Sequence, residues 1–193
     1  MYGFEIIQEL AAVLSGNEVI VSSNGNISRQ VYHYCPQPQI YLRGSMGLPV
    51  SVGLGLALTR PEKQVLTILG DGNLLMGLGS LSTTSYFRPS NLKILIIDNG
   101  VYATTGHQGT TSGTLNYPAL LDGFGLPNIV PILRNDAIES VREKIQIWIT
   151  ASELNILPAL VDAKPPTLSN IPLPPEEISV DIKEKLQNLN QAV

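Results

Sequence analysis

Apolar residues along the chain fall into two patterns, short continuous runs and longer runs with helical spacing. Continuous runs rich in Val, Ile and Leu are typical of strands buried on both faces of a parallel sheet. They predict strands at residues 19–21, 39–42, 65–69, 92–97, 129–133 and 157–161. The longer runs predict helices at residues 4–15, 27–34, 47–58, 74–87 and 137–150. The alternation of the two predicts an α/β fold, a doubly wound and mainly parallel sheet with helices on both faces.

Two stretches of the chain lack this alternation. Residues 102–116 are rich in Thr and Gly and have little periodicity, and so long a loop inside a compact domain is usually functional or mobile. After Lys164 the chain becomes rich in proline, which predicts an extended arm, and a short polar helix follows over about 176–188. We therefore predict one domain over residues 1–164 and an arm with a short helix over residues 165–193.

Composition narrows the class of protein. The chain has 193 residues, of which 44% are hydrophobic and 15% charged, so it can bury one core and is not disordered. A net charge of −4 argues against nucleic acid as a partner, and no apolar run approaches the roughly 18 residues of a membrane span. A secretory signal begins with positive charge, whereas the first basic residue is Arg29. The single cysteine, Cys35, excludes a disulfide framework and a cysteine-based zinc or iron–sulfur site. We expect a cytoplasmic protein.

A single acidic residue stands out among the predicted strands. Asp71 is the only charged residue between Gln64 and Phe87, and it follows a predicted buried strand between two glycines. It could be a helix N-cap or part of a tight turn, which Asp and Gly favour. It could also be a metal ligand at a helix N-terminus, where free N–H groups attract phosphate and Gly72 permits close approach.

Asn99 favours the metal interpretation, because it ends the next strand and so lies at the same edge of a parallel sheet. Carboxylate and amide oxygens suit Mg²⁺, a cation that also binds diphosphates. The sequence contains neither a P-loop nor a G-x-G-x-x-G fingerprint, which disfavours a nicotinamide cofactor. These residues therefore predict a magnesium and diphosphate site.

Four segments in order resemble the diphosphate-binding part of thiamine-diphosphate enzymes. Gly70-Asp71-Gly72, then 26 residues, then Asn99 is similar to their Gly-Asp-Gly…Asn motif. Gly44-Ser45-Met46-Gly47 precedes an apolar helix, and residues 98–102 precede Thr104-Thr105-Gly106-His107-Gln108. Over residues 3–183 the chain resembles the diphosphate-binding subunit of the sulfopyruvate and phosphonopyruvate decarboxylase family. The resemblance implies the thiamine-diphosphate-binding fold.

The resemblance also implies the residues of a cofactor site. Asp71, the Asn99 side chain and the Val101 carbonyl would hold Mg²⁺. Met46 would wedge the cofactor into its bent shape, although Met also fills gaps in ordinary cores. The residues implied to bind thiamine diphosphate are Ser23, Asn24, Gly25, Gly44, Ser45, Met46, Gly70, Asp71, Gly72, Asn73, Leu74, Asn99, Val101 and Tyr102.

His107 departs from the family pattern, in which Gly is usual at this position. A histidine near the reacting carbon could transfer protons near neutral pH, and Gln108 could hydrogen-bond the substrate carboxylate. His107 could equally be a polar residue that faces solvent. Arg29 and Arg43 flank the predicted cleft, where they could pair with an anionic 2-oxo acid or be surface charges.

The resemblance implies half of an active site. Family members activate the cofactor with a glutamate from a separate pyrimidine-binding domain, which a chain of this length is not expected to contain. The glutamates of this chain stand in polar or amphipathic settings that indicate exposure to solvent. The implied partner is therefore a pyrimidine-binding (alpha-type) subunit, in a homo- or hetero-oligomer.

The implied function is decarboxylation of a small 2-oxo acid, sulfopyruvate or phosphonopyruvate, to CO₂ and an aldehyde. Two alternatives remain at this point. One is a subunit of an acetolactate-synthase-like carboligase, and the other is a non-catalytic subunit of the same fold that binds cofactor or regulates.

Overall fold

The computed structural model describes residues 1–35, 37–163 and 167–189, with side chains as far as residue 185. The strands are β1 (Glu18–Ser22), β2 (Gln39–Tyr41), β3 (Gln64–Gly70), β4 (Leu92–Asp98), β5 (Val101–Tyr102), β6 (Gln108–Gly109) and β7 (Asn155–Leu160). Five of them form one parallel sheet in the order β2-β1-β3-β4-β7. The other two, β5 and β6, pair antiparallel as a small hairpin.

Helices cover both faces of the sheet. They are α1 (Gly3–Ala11), α2 (Asn26–Tyr34), α3 (Pro49–Thr59), α4 (Asp71–Met76), α5 (Ser80–Phe87), α6 (Tyr117–Gly123), α7 (Ile138–Thr150) and α8 (Pro175–Leu189), with a 3₁₀ turn at Ser112–Thr114. Buried side chains of α1, α2 and α7 form one half of the core, and those of α3, α4, α5 and α6 form the other. The predicted doubly wound α/β fold is therefore confirmed.

Alternation along the strands explains why both faces are apolar. In β4, Leu95 and Ile97 pack with one half of the core, whereas Ile94 and Ile96 pack with the other. Successive side chains of a strand point to opposite faces, so a strand covered on both sides needs a continuous apolar run. This is the pattern from which the strands were predicted.

Two predicted helices differ from the structure. The helix predicted over 4–15 begins at Gly3 and ends at Ala11. The helix predicted over 74–87 is two helices, α4 and α5, separated at residues 77–79. At this break Gly77 lies directly against the backbone of Gly47, an approach that a continued helix with larger side chains would block.

The predictions for two further segments, a strand and a loop, also differ from the structure. The strand predicted over 129–133 is wrong, because only Asn128 and Ile132 form isolated bridges to β7. Pro131 lies between them and has no N–H to donate to a ladder. The stretch 102–116 contains one strand of the β5–β6 hairpin and the 3₁₀ turn, and α6 follows it.

The described part of the C-terminal region packs against β2 at the edge of the sheet. Ile171 and Ile178 contact Tyr41, and Ile182 packs against Val19. The predicted domain boundary after Lys164 falls at residues 164–166, which lie outside the described residues. Within the described ranges, no helix combines the length and apolar character needed to cross a bilayer.

Candidate functional site

The candidate site lies where the strand order of the sheet reverses. From β1 the chain passes to β2 on one side, and then to β3, β4 and β7 on the other. Ligands of doubly wound sheets bind at the carboxyl ends of the strands at such a switch point. A cleft of about 170 Å³ opens there, and residues that follow β1, β3 and β4 line it.

The structure brings most of the predicted cofactor-binding residues together in this cleft. Those that line it are Asn24, Gly25, Met46, Gly70, Asp71, Gly72, Asn73, Asn99, Val101 and Tyr102. Four others do not line it. Ser23 is fully buried at the end of β1, Leu74 packs in the core beneath α4, and Gly44 and Ser45 are exposed in the turn before Met46.

Some lining residues were not predicted. They are Asn26, Ile27, Ile97, Ala103, Thr104 and Thr105. The Thr pair stands in the Thr- and Gly-rich stretch after Asn99, so its composition was the available signal. Ile27 and Ile97 read as ordinary core positions in the sequence.

Gly72 allows two side chains of the cleft to pack closely against its floor. A Cβ at Gly72 would lie 2.5 Å from the Tyr102 ring and 3.1 Å from the methyl carbon of Met46. These two side chains therefore pack directly over the start of α4, an approach that the missing Cβ of Gly72 permits. Gly72 thus sets how closely Tyr102 and Met46 lie to the first turn of this helix.

Asn73 holds two loops of the cleft in register. Its side-chain oxygen accepts a hydrogen bond from the Gly47 N–H at 3.0 Å, and its amide nitrogen donates to Asn24 Oδ1 at 3.2 Å. The turn that carries Met46 and the loop after β1 are thus tied to α4. Because its polar atoms have protein partners, Asn73 acts on the shape of the cleft.

Two buried carboxylates lie side by side beneath the cleft. Asp71 is 2% exposed and Asp98 is 4% exposed. The Thr110 hydroxyl donates a hydrogen bond to Asp71. Asp98 accepts hydrogen bonds from Ser112 Oγ and from Tyr117 Oη, both at 2.9 Å. The segment after the β5–β6 hairpin is therefore fastened to both carboxylates.

The electrostatics of this pair fit a bound cation. Burial raises the pKa of Asp71, the Thr110 hydrogen bond lowers it, and the charge of Asp98 raises it further. In the described part of the chain, neither carboxylate has a Lys, Arg or His ion-pair partner. Buried charges in proteins are normally paired or coordinate a metal, so the residues present fit a divalent cation.

The donor set of the cleft suits a hard cation. Asn99 Oδ1 accepts a hydrogen bond from the Val101 N–H at 3.0 Å, which fixes the turn after β4 and keeps Asn99 and Val101 together. Residues 1–35, 37–163 and 167–189 contain no cluster of three or more His, Cys, Asp or Glu side chains that could hold a metal. The available ligands are one carboxylate with amide and carbonyl oxygens, a set that favours Mg²⁺ over Zn²⁺.

The two predicted catalytic residues stand at the β5–β6 hairpin and do not line the cleft. His107 is exposed and has a φ of +54°. Gln108 Oε1 accepts hydrogen bonds from Thr105 Oγ1 and from the Gly106 N–H, both at 2.9 Å. Its amide nitrogen remains the group that could bind a carboxylate.

None of the glutamates lines the cleft in the described part of the chain. One was wrongly predicted to be exposed. Glu18 is 3% exposed, and its carboxylate accepts hydrogen bonds from the N–H groups of Ser15 and Gly16. It stands at the start of β1 and so lies at the amino ends of the strands, whereas the cleft lies at their carboxyl ends.

The fold is a parallel sheet whose cleft at the switch point carries a buried carboxylate and glycines, the place where ligands of doubly wound sheets bind. Comparison with known proteins identifies the family. Residues 23–154 match the family described as thiamine pyrophosphate enzyme, C-terminal TPP binding domain. The chain belongs to this family, and the resemblance inferred from the sequence is confirmed.

Individual relatives agree with this assignment. The chain is 34% identical to sulfopyruvate decarboxylase subunit beta of Methanocaldococcus jannaschii, over 95% of this chain and 96% of that one. It is 40% identical to phosphonopyruvate decarboxylase of Streptomyces viridochromogenes, over 62% of this chain and 30% of that protein. A solved structure of a candidate thiamin diphosphate-dependent enzyme from Mycobacterium smegmatis superposes with a TM-score of 0.71 at 16% identity, over 84% of this chain and 32% of that one. This last match supports the fold.

Proposed function

We propose that the chain is the diphosphate-binding subunit of a thiamine-diphosphate-dependent decarboxylase that acts on sulfopyruvate or phosphonopyruvate. The products are CO₂ and the corresponding aldehyde. The observation that carries the proposal is similarity to a sulfopyruvate decarboxylase beta subunit along almost the whole of both chains. The acidic cleft, with its glycine floor, is where such a subunit would bind the cofactor.

Different residues of the cleft would contact the metal, the diphosphate and the rings of the cofactor. Asp71, Asn99 and the Val101 carbonyl would hold Mg²⁺, and the metal would anchor the diphosphate. The Thr110 hydroxyl donates to Asp71 and so orients the carboxylate. Gly72 lines the cleft at the start of α4, where the diphosphate would lie, and Met46 would be the apolar side chain against the rings. Thiamine diphosphate, when bound, supplies the electron sink for breaking the bond to the carboxylate.

The site needs a second chain. The described cleft contains no glutamate that could hold a proton at the pyrimidine. An alpha-type, pyrimidine-binding subunit would supply this acid and cover the cleft against water. Relatives named subunit beta are consistent with such a partner.

A titration tests the metal assignment on this chain. Asp71→Asn should abolish Mg²⁺-dependent binding of thiamine diphosphate, measured by calorimetry, because the amide replaces the only carboxylate of the proposed ligand set. Its thermal stability without metal should be equal or higher, since a buried charge is removed. Asp122→Asn, an exposed carboxylate on α6, is the matched control and should bind like the parent. Unchanged affinity in Asp71→Asn would refute the metal site.

The reaction is tested with the complex of this chain and its candidate pyrimidine-binding subunit. Sulfopyruvate and phosphonopyruvate should each be tested for release of CO₂ and aldehyde in equal amounts. A condensed product from two substrate molecules would instead indicate a carboligase. Cofactor binding without turnover of any 2-oxo acid would indicate a non-catalytic subunit.

A further inference from the structure

A second cavity, of about 250 Å³, adjoins the cofactor cleft. Asn24, Gly25 and Thr104 line both, so the two are neighbours across a shared wall. The far side of the second cavity carries Arg29 of α2 and Arg43, which follows β2. We call it the Arg29–Arg43 cavity.

The charge of this cavity is positive and uncompensated in the described structure. Its described lining contains two guanidinium groups and no carboxylate. Arg43 Nη1 donates to the Leu173 carbonyl at 2.8 Å, and the Arg29 guanidinium forms no ion pair or hydrogen bond within the described ranges. A cavity with two arginines and no counter-charge is suited to an anion.

A second feature of the fold adds to this attraction. The cavity reaches the N-terminus of α2, where Gly25 is the N-cap residue with a φ of +81°. Ser28 is buried there, and its hydroxyl donates to the Gly25 carbonyl at 2.9 Å, which holds this first turn in place. The first N–H groups of a helix have no partner within the helix and carry partial positive charge.

The position of the cavity separates it from the metal site. Arg29 and Arg43 come from the β1 and β2 side of the switch point, whereas Asp71, Asn99 and Val101 follow β3 and β4. An anion held by Arg29 and Arg43 would therefore lie across the switch point from the metal ligands. Because the cavity shares a wall with the cleft, that anion can belong to a molecule that reacts there.

We propose that the Arg29–Arg43 cavity binds the distal acidic group, sulfonate or phosphonate, of a doubly charged 2-oxo acid. The inference rests on the proposed function and adds to it the residues that select the substrate. Both groups present three oxygens in a tetrahedral arrangement that guanidinium groups hydrogen-bond well. A 2-oxo acid with a methyl group in this place would leave the half-buried Arg29 and the exposed Arg43 without an anion to bind, and a site that hydrogen-bonds a substrate group disfavours analogues that lack it.

The selectivity can be measured without any reaction. The probes are 3-sulfopropanoate and 3-phosphonopropanoate, which carry both acids but no keto group, and butanoate, in which a methyl group replaces the second acid. Each is titrated into the full chain at constant ionic strength, with binding followed by NMR. The parent should bind both doubly charged probes more tightly than butanoate, by about 10- to 100-fold for hydrogen bonds to charged groups. Whichever of these two probes binds more tightly identifies the acidic group, sulfonate or phosphonate, that the cavity prefers.

Substitutions assign this preference to the two arginines. Arg29→Gln and the double variant Arg29→Gln/Arg43→Gln should lose it. Arg60→Gln, at the opposite edge of the sheet, is the matched control and should retain it. The single variant guards against loss of the fold, because the side chain of Arg29 has no hydrogen bond to lose within the described ranges. A preference that persists in both variants, or that the parent lacks, would overturn the proposal.

Two further measurements separate this proposal from others. Binding of thiamine diphosphate with Mg²⁺ should be unchanged in Arg29→Gln, and an equal loss there would assign the cavity to the diphosphate and overturn the inference. In the active complex, kcat/KM for the doubly charged 2-oxo acid should fall far more than for 2-oxobutanoate. If the complex converts no 2-oxo acid but the chain still prefers the doubly charged probes, the proposed function is refuted and the cavity remains an anion site.

Discussion

His107 has a backbone conformation that costs energy for any residue with a Cβ. Its φ of +54° lies in the left-handed region, which is unfavourable by about 1 to 2 kcal/mol for most residues. It stands in the turn between β5 and β6, where the chain reverses over a few residues. This geometry gives a physical reason for the glycine that the family resemblance led us to expect at this position.

Substitutions at His107 should separate backbone strain from chemistry. His107→Gly should be more stable than His107→Ala by about 1 kcal/mol in urea unfolding, because Gly relieves the left-handed strain that Ala retains. If the imidazole moves a proton, both variants should show the same lowered kcat and a changed pH profile near neutrality. Equal stabilities would contradict the strain argument, and an unchanged profile would leave His107 as a surface residue of the turn.

Lys93 is a buried charged residue near the start of β4, at the end of the strands opposite the cleft. It is fully buried at the start of β4, and its ammonium donates to the carbonyls of Ser90 and Glu153. Burial lowers the pKa of Lys93 to about 8, although the nearby Glu153 carboxylate raises it. The ordinary value of 10.5 applies to the unfolded chain.

Lys93 should therefore contribute stability that rises with pH above about 8, whereas Cys35, whose pKa is raised by burial to about 12, acts in the opposite direction above about pH 9. Below about pH 8 Lys93 is charged in both states, so the cost of burying the charge is fully present. Between about 8 and 10.5 the folded state loses its proton first, and the cost disappears. Lys93→Met should remove this rise, which is measured as the free energy of unfolding across the pH range. At pH 7 Lys93→Met should stabilise the chain by up to roughly 3 kcal/mol. Loss of the hydrogen bonds to the two carbonyls reduces this gain.

The matched control is Lys183→Met, an exposed lysine on α8. It should keep the parent's rise above about pH 8, because the rise belongs to the buried amine. If Lys93→Met and the parent respond to pH in the same way, the buried ammonium does not have the lowered pKa.

At the scale of elements, a contact between two glycines connects α4 to the turn that carries Met46. A Cβ on Gly77 would lie 1.9 Å from the Gly47 carbonyl oxygen. The contact is between backbone atoms, so a rotamer change cannot relieve it. The end of α4 therefore determines how closely Met46 approaches the cleft.

Gly77→Ala should move this turn and weaken the cofactor site. We expect a loss of about 1 to 3 kcal/mol in the free energy of unfolding, the usual range for overpacking, together with weaker binding of thiamine diphosphate. Gly79→Ala is the control, because a Cβ there meets nothing within 4 Å. A Gly77→Ala variant that binds the cofactor like the parent would show that the turn does not depend on this contact.

Elements that the sequence predicts well are those whose signal is local. The runs of β3 and β4 are mostly apolar, with Thr67 and Lys93 as buried exceptions, and Asp71 and Asn99 follow these strands directly, so their common edge could be inferred. The hydrogen bond from Thr110 to Asp71 could not, because it depends on how the β5–β6 hairpin folds back over 39 residues of sequence. The prediction that Glu18 is exposed was wrong for a related reason. Its carboxylate accepts hydrogen bonds from backbone amides in a turn, and the polarity of the sequence does not reveal them.

At the scale of the whole molecule, apolar side chains lie uncovered beside the cleft. Leu48 and Met76, on either side of the contact between Gly47 and Gly77, are 48% and 66% exposed. Tyr86 and Phe87 are also exposed, but they end α5 just before β4 begins and so lie toward the opposite end of the strands from the cleft. Exposed apolar residues near an incomplete site are typical of a surface that a partner covers.

The last prediction is that the purified chain has no decarboxylase activity and gains it only with a pyrimidine-binding subunit. A cofactor held by Asp71, Asn99 and Val101 would project from the sheet edge into solvent. The described cleft offers neither a second wall nor a glutamate for the pyrimidine. Activity should be assayed with Mg²⁺, thiamine diphosphate and 2-oxo acids, with and without the candidate subunit. As a control, Leu48→Glu/Met76→Glu should bind the cofactor but fail to associate, because it places charge on the surface beside the cleft. Robust decarboxylation by the purified chain would contradict the half-site interpretation and would require a proton donor among its own residues.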